Sequence, residues 1–231
     1  DHAALQALRP ADAVGVYGGL SCTVPRALEV VAHYRRAGVF CIVGGHHFDA
    51  LPGEALRAGA DAVVHGEGEL TIGELLGAFE RGGDFGAIAG ISLMRDGREE
   101  RTAPRPPLED FAGLPLPDFG LLRYARVSVF PVGRIRGCGM NCEFCAVKGR
   151  ARCASPERLL AQVSSAVEGR GAREFFVVDD QFAQDRDETL RFCRLLREYQ
   201  DRLDVKLYLT VQIRLDCGRD DELLGAMRAA G

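Results

Sequence analysis

The chain has no tryptophan, and only two of its 29 basic residues are lysine, Lys148 and Lys206; the rest are arginine. That skew reads as coding bias rather than chemistry. No apolar run approaches the roughly 20 residues needed to cross a bilayer, so no membrane span is expected. The start, Asp1-His2-Ala3, has neither the basic segment nor the apolar core of a signal peptide, and a cytoplasmic location follows as the expectation. With 33 acidic against 29 basic residues the net charge is −4, which argues against a polyanion-binding surface and so against nucleic acid as a partner. No internal repeat beyond a strand–helix rhythm and no low-complexity tract is present. What is present is the composition of a soluble globular protein: 47% hydrophobic and 27% charged residues in 231, enough for one large domain or two modest ones.

Cysteine is the residue in excess. Five of the eight (Cys22, Cys41, Cys153, Cys193, Cys217) are scattered, as reduced, buried small hydrophobes usually are. The other three fall within eight residues and need a different explanation.

From Asp12 to about Gly90 the pattern alternates strand and helix. Asp12–Tyr17, Val39–Val43 and Asp61–His65 are short apolar runs bounded by glycine. Between them Thr23 can cap a helix with Pro25 just inside it, and a shorter helix is expected over Leu51–Ala58. Ile72, Leu75, Leu76 and Phe79 form a further helical stripe. Such alternation predicts parallel strands with crossover helices in a doubly wound sheet. Asp96-Gly97, flanked by Ile91–Met94 and Glu99–Thr102, is a hairpin turn signal. Pro104, Pro106, Pro107, Pro115 and Pro117 then mark an extended linker, because proline fixes φ and donates no backbone hydrogen bond. The expected division is 1–95, a hairpin and proline-rich linker over 96–126, and a second domain over 127–231. In the latter, Val127–Val132, Glu174–Asp179 and Val205–Val211 read as strands, and helices are expected from Ser155-Pro156-Glu157, over Thr189–Tyr199 and over Asp220–Ala230.

The three clustered cysteines lie in Arg136-Gly137-Cys138-Gly139-Met140-Asn141-Cys142-Glu143-Phe144-Cys145, spaced C-x3-C-x2-C. Cys138, Cys142 and Cys145 can supply three thiolates to a cubane [4Fe–4S] cluster and leave its fourth iron without a protein ligand. Gly137 and Gly139 let the backbone wrap closely. A structural zinc site is an alternative, with Cys153 as a fourth ligand, although zinc modules usually pair their cysteines as C-x2-C twice over. Three inert thiols is the other reading, and the tight spacing disfavours it.

With Phe144 between the last two cysteines, the motif resembles the signature of the radical S-adenosylmethionine (SAM) superfamily. RGCGMNCEFC followed by SPERLL and VVDDQF resembles the class with an N-terminal cobalamin-binding domain, as do IVGGHH (42–47) and VVHGEGELT (63–71). The resemblance implies a partial Rossmann-like cobalamin-binding domain followed by the first half of a partial (β/α)6 barrel. It implies a radical SAM enzyme in which the cluster cleaves SAM reductively to a 5′-deoxyadenosyl radical, with cobalamin-dependent methyl transfer to an unactivated carbon. A cyclase or rearrangement enzyme with a vestigial cobalamin domain is the alternative, and a non-catalytic zinc or redox module the alternative of another class.

For site residues, the resemblance puts Phe144 near adenine, unless it packs into the core. Asp180 and Gln181 stand where the superfamily contacts the SAM amino group, often with Gly-Gly-Glu, from which this chain departs. Their other possible use, with Asp179, is to hold a loop, while Asp185 caps the next helix. Gln212 and Arg214 follow the third strand, and Arg214 is expected either to fork onto the SAM carboxylate or to pair with Asp216. Lys148 and Arg150 are anion-binding candidates or solvated loop charges. Ser21, Thr23, Gly44 and Gly45, just past the carboxyl ends of strands, are the candidates for contact with cobalamin. The Asp-x-His-x-x-Gly loop that supplies a cobalt-ligating histidine is missing; Asp1-His2 does not fit it, and His46 and His47 read as loop or packing residues. No catalytic residue is assigned beyond the cluster. The expected partners are a small-molecule or lipid substrate and a reductant such as flavodoxin or ferredoxin. Against the family's pattern the chain reads as a fragment truncated at both ends, so turnover by it alone is not expected.

Overall fold

A computed structural model describes every residue except Asp1, Ala146 and Lys148. It divides into two compact units, Asp1–Leu108 and Glu109–Gly231.

The first unit opens with a helix absent from the sequence reading, α1 (His2–Leu8). There follow β1 (Ala13–Tyr17), α2 (Val24–Arg36), β2 (Phe40–Gly44), the short α3 (His46–Ala50), α4 (Pro52–Ala58), β3 (Ala62–Val64), α5 (Glu69–Arg81), β4 (Ile91–Arg95) and β5 (Arg98–Arg101). The strands form one sheet in the order β1-β2-β3-β4-β5. The first three are parallel and β4 and β5 antiparallel. Strand β2 shows why its sequence is apolar throughout. Cys41 and Val43 face one core with Val31 and Tyr34 of α2 and Leu56 of α4. Phe40 and Ile42 face the other, with Leu75 and Ala78 of α5. Helices on both faces leave a parallel strand no polar side. The β4–β5 turn is at Asp96-Gly97, both at positive φ (50° and 73°), as a tight hairpin turn requires. The hairpin is hydrogen-bonded to β3 and so belongs to the first sheet, although the sequence reading divided it between the first domain and the linker; the break between units falls at Leu108–Glu109.

The second unit contains β6 (Val129–Val132), β7 (Ile135–Arg136), β8 (Arg152–Cys153), α6 (Pro156–Arg170), β9 (Glu174–Val177), α7 (Arg186–Leu203), β10 (Tyr208–Thr210) and α8 (Asp221–Ala230). Its main sheet is parallel, in the order β10-β9-β6. Here the helices cover one face only. Phe130, Val132, Phe175 and Val177 point into a core with Leu159 and Val163 of α6 and Phe192 and Leu196 of α7. Alternate residues such as Val129 and Tyr208 are exposed on the opposite face.

Helix starts follow local chemistry. Ser155 accepts a hydrogen bond from the Arg158 amide and Asp185 one from the Glu188 amide, as N-caps do. Thr23 does not cap α2; its hydroxyl turns back to donate to the Leu20 carbonyl at 2.8 Å.

Candidate functional site

The cysteine segment leaves β6 at the carboxyl end of the second parallel sheet. Its two ends, Ile135–Arg136 and Arg152–Cys153, pair antiparallel, so residues 137–151 form a closed loop on a two-pair stem. So short a ladder is marginal by itself. Side chains from two other elements reinforce it. Gln162 of α6 accepts from the Gly133 amide (3.1 Å) and donates to the Gly133 carbonyl (2.7 Å). Asp179, just past β9, accepts through one oxygen from the Arg134 and Ile135 amides at 2.8 and 2.9 Å. Asp180 accepts from the Gly137 amide at 3.1 Å. Arg134, 1% exposed, donates to the Ala154 carbonyl (3.2 Å), while its own carbonyl accepts from the Ala154 amide (2.7 Å). Burial pushes the Asp179 carboxyl up to about 6; the two amide bonds and the Arg134 charge oppose that shift, and the Asp180 charge adds to it.

Beyond the stem, Gly137, Gly139 and Gly149 all take positive φ (77°, 69° and 94°). A side chain at Gly137 would also crowd the Arg150 carbonyl, at 3.1 Å from an added Cβ. The amide of Gly139 donates to the Gly149 carbonyl at 3.2 Å, and that of Cys145 to the Cys142 carbonyl at 3.2 Å. Cys138, Cys142 and Cys145 are half-buried, and none is in a disulfide. Among the described residues no three His, Cys, Asp or Glu side chains are grouped so as to hold a metal ion. The thiols therefore share one loop without being gathered, and Cys153, exposed on β8, does not join them in such a group. Donor type and spacing fit a thiolate-ligated cluster. Metal binding displaces the protons of such thiols, and sites of this kind form together with their metal.

The remaining expected residues are spread around this loop. Phe144 is 93% exposed, so it does not pack into the core. Gln181 is buried and uses both ends of its amide within the protein: its oxygen accepts from the Arg214 amide (3.2 Å) and its nitrogen lies 3.8 Å from the Cys217 sulfur. Gln212 donates to the Asp179 carbonyl at 3.4 Å. Arg214 forks onto Asp216, the second of its two expected partners, with Nε to Oδ1 at 3.0 Å. That pairing holds the Asp216 carboxyl below its ordinary value. Arg150 pairs with Glu109, and Lys148 lies outside the described residues. An open cleft of about 470 Å3 beside the loop is lined by Gly139, Met140, Asn141, Gly149, Arg150, Ala151 and Gln184. The sequence reading missed Gln184, whose amide oxygen is buried without a hydrogen-bond partner among the described residues.

In the first unit the candidates cluster past the carboxyl ends of β1 and β2. The Gly18 amide donates to the Gly44 carbonyl (2.8 Å), and the His47 amide to the Gly18 carbonyl (3.1 Å). Gly45 sits at φ +109°, and an added Cβ would lie 2.8 Å from the Gly18 backbone. The two loops thus meet backbone to backbone. Ser21 and His47 are 3.1 Å apart (Oγ to Nδ1), and His47 Nε2 is 2.8 Å from Glu54. A second histidine, His65, is buried between Asp49 (2.6 Å) and Ser92 (2.8 Å). Neither relay was legible from spacing, since each joins residues from separate elements.

Comparison with solved structures aligns 99% of the chain with TsrM, a radical SAM methyltransferase from Kitasatospora setae, at a TM-score of 0.77 and 20% identity. OxsB, a cobalamin-dependent SAM radical enzyme, aligns with 99% of the chain at 0.69 and 16% identity. The fold is that of the cobalamin-dependent radical SAM enzymes. TsrM has been seen with cobalamin and a [4Fe–4S] cluster, and with tryptophan as substrate and a SAM analogue; OxsB has been seen with aqua-cobalamin and SAM. In sequence, an uncharacterized methyltransferase of Pyrococcus horikoshii is 33% identical over 72% of this chain. An anaerobic magnesium-protoporphyrin IX monomethyl ester cyclase of Rubrivivax gelatinosus is 26% identical over 84%. No family model matches. The chain spans 38% of the Pyrococcus protein, 37% of the Rubrivivax protein and 48% of TsrM.

Proposed function

We propose that the protein is a radical SAM enzyme whose loop 137–151 holds a [4Fe–4S] cluster through Cys138, Cys142 and Cys145. The observation that carries this reading is the C-x3-C-x2-C loop on a pinned stem at the carboxyl end of a parallel sheet. When bound, such a cluster supplies the single electron that cleaves the sulfonium of SAM. The chain's own residues shape the surroundings. Phe144, exposed on the loop, is available to a ring such as adenine, and Asp180, exposed and bonded to Gly137 through one carboxylate oxygen, offers negative charge to a cationic group. Gln212 and Arg214 lie on the neighbouring loop; Arg214 reaches an anionic ligand only by exchanging Asp216 for it.

In the first unit, the backbone-lined meeting of Gly18, Gly44 and Gly45, with Ser21 and Thr23 beside it, supports a cobalamin site. Cobalamin, when bound, supplies a carrier for methyl transfer, and methylation of an unactivated carbon in a small-molecule or lipid substrate is the reaction we favour. A flavodoxin or ferredoxin is the proposed reductant. The sequence likeness to the cyclase favours ring closure as a second reading.

Anaerobic reconstitution with iron and sulfide tests the cluster. Wild type should take up about four of each per chain, and Cys142→Ala should lose most of both. Stoichiometric zinc without sulfide would instead identify a structural metal module. Retention of cobalamin by the protein, read from its visible spectrum, separates a working first unit from a vestigial one.

A further inference from the structure

We infer that Asp179 is a positioning residue for the cysteine loop, holding its stem in place before any cluster is bound, with Asp180 as a second tie. The inference rests on the proposed role of the loop and goes beyond the ligands themselves.

Three observations converge. First, the ladder closing the loop is two residue pairs long, too short to fix a segment of this length unaided. Second, the ties supplied by the acid pair all land on the incoming arm of the stem, on Ile135 of β7 and on Arg134 and Gly137 that flank the strand. Asp179 turns inward to the Arg134 and Ile135 amides, and Asp180 turns outward to the Gly137 amide, one residue before Cys138. Those contacts join the end of β9 to a segment more than 40 residues earlier, so the stem is registered against the sheet itself. Third, the neighbouring backbone is shaped to admit the carboxylate. A Cβ at Gly133 would lie 2.9 Å from the Asp179 oxygen and 2.9 Å from the Val178 side chain, so any larger residue there would displace the acid.

The arrangement divides the loop. Its incoming arm is tied by Gln162 and Asp179, whereas among the described residues its three thiols form no metal-holding group. Cys138 directly follows the last tied amide, so the stem's position carries into the first proposed ligand.

The test uses Asp179→Asn and Asp179→Ala. Asparagine keeps an oxygen for both amides, and alanine removes it. In the cluster-free protein, amide exchange at Arg134 and Ile135 should quicken about tenfold to a hundredfold in the alanine variant and stay near wild type in the asparagine variant. Amides of the first unit, such as that of Val43, serve as the folding control. In the reconstituted protein, iron should be lost to a chelator at least about tenfold faster from the alanine variant, with the asparagine variant restoring retention. Unchanged exchange in the alanine variant, or equal loss from both variants, would overturn the inference. A wild type that takes up no iron and sulfide would instead overturn the reading of the loop, while the exchange measurement would still report the clasp.

Discussion

Raising the pH through the weakly acidic range should destabilise the second unit through Asp179, the reverse of what an ion-paired carboxylate does. Burial holds this carboxyl at about 6, against an ordinary value of 3.8. Below about pH 4 it is protonated in folded and unfolded chains alike and its ionisation costs nothing. Between about 4 and 6 the folded chain binds more protons than the unfolded one, so stability falls as pH rises. Above about 6 the cost is complete. Two pH units at about 1.4 kcal/mol each make it about 3 kcal/mol. Urea unfolding of the cluster-free protein, followed by circular dichroism between about pH 4 and pH 7, measures the effect when wild type is compared with Asp179→Asn. The amide is neutral throughout and still accepts from Arg134 and Ile135, so the titration of every distant group cancels in the difference. Wild type should lose about 3 kcal/mol relative to the variant across the range. Parallel curves would refute the reasoning, because they would mean that Asp179 titrates alike in both states.

Two further outcomes are expected. Gly45→Ala combines a positive φ of 109° with a Cβ placed 2.8 Å from the Gly18 backbone. It should cost the first unit about 2 kcal/mol or more in thermal unfolding, and an unshifted transition would contradict the close approach of the two loops. Gln200→Leu removes a buried amide that accepts from the Leu207 backbone (2.7 Å) and donates to the Ala230 carbonyl (2.6 Å). Leaving both groups unpaired should cost about 2–4 kcal/mol by chemical denaturation and loosen α8 first, visible as faster amide exchange along that helix.

The buried acid sets stability against the role proposed for the cysteine loop. A serine or asparagine past β9 could accept the same amide hydrogens without the cost of a buried charge. The chain places a carboxylate there, next to a second one at Asp180, at the stem that carries the proposed metal ligands. Local sacrifice of stability near a working site is a recurrent trade in proteins.

Much of this structure was written locally. Apolar runs bounded by glycine marked the strands, the Asp96-Gly97 pair marked the hairpin, and Ser155 and Asp185 marked two helix starts, because backbone preference and capping act within a few residues. The same holds for the three cysteines, whose spacing alone puts them on one loop. Long-range packing decided the rest. Sequence could not say that the hairpin would extend the first sheet, that Thr23 would turn away from its helix, or that Gln181 would be used up inside the protein. Nor could it say that Asp179 would reach back across more than 40 residues to the Arg134 amide, or that His65 would lie between Asp49 and Ser92. A hydrogen bond between distant residues leaves no periodicity in the chain. It exists only once the strands have paired and brought their ends together.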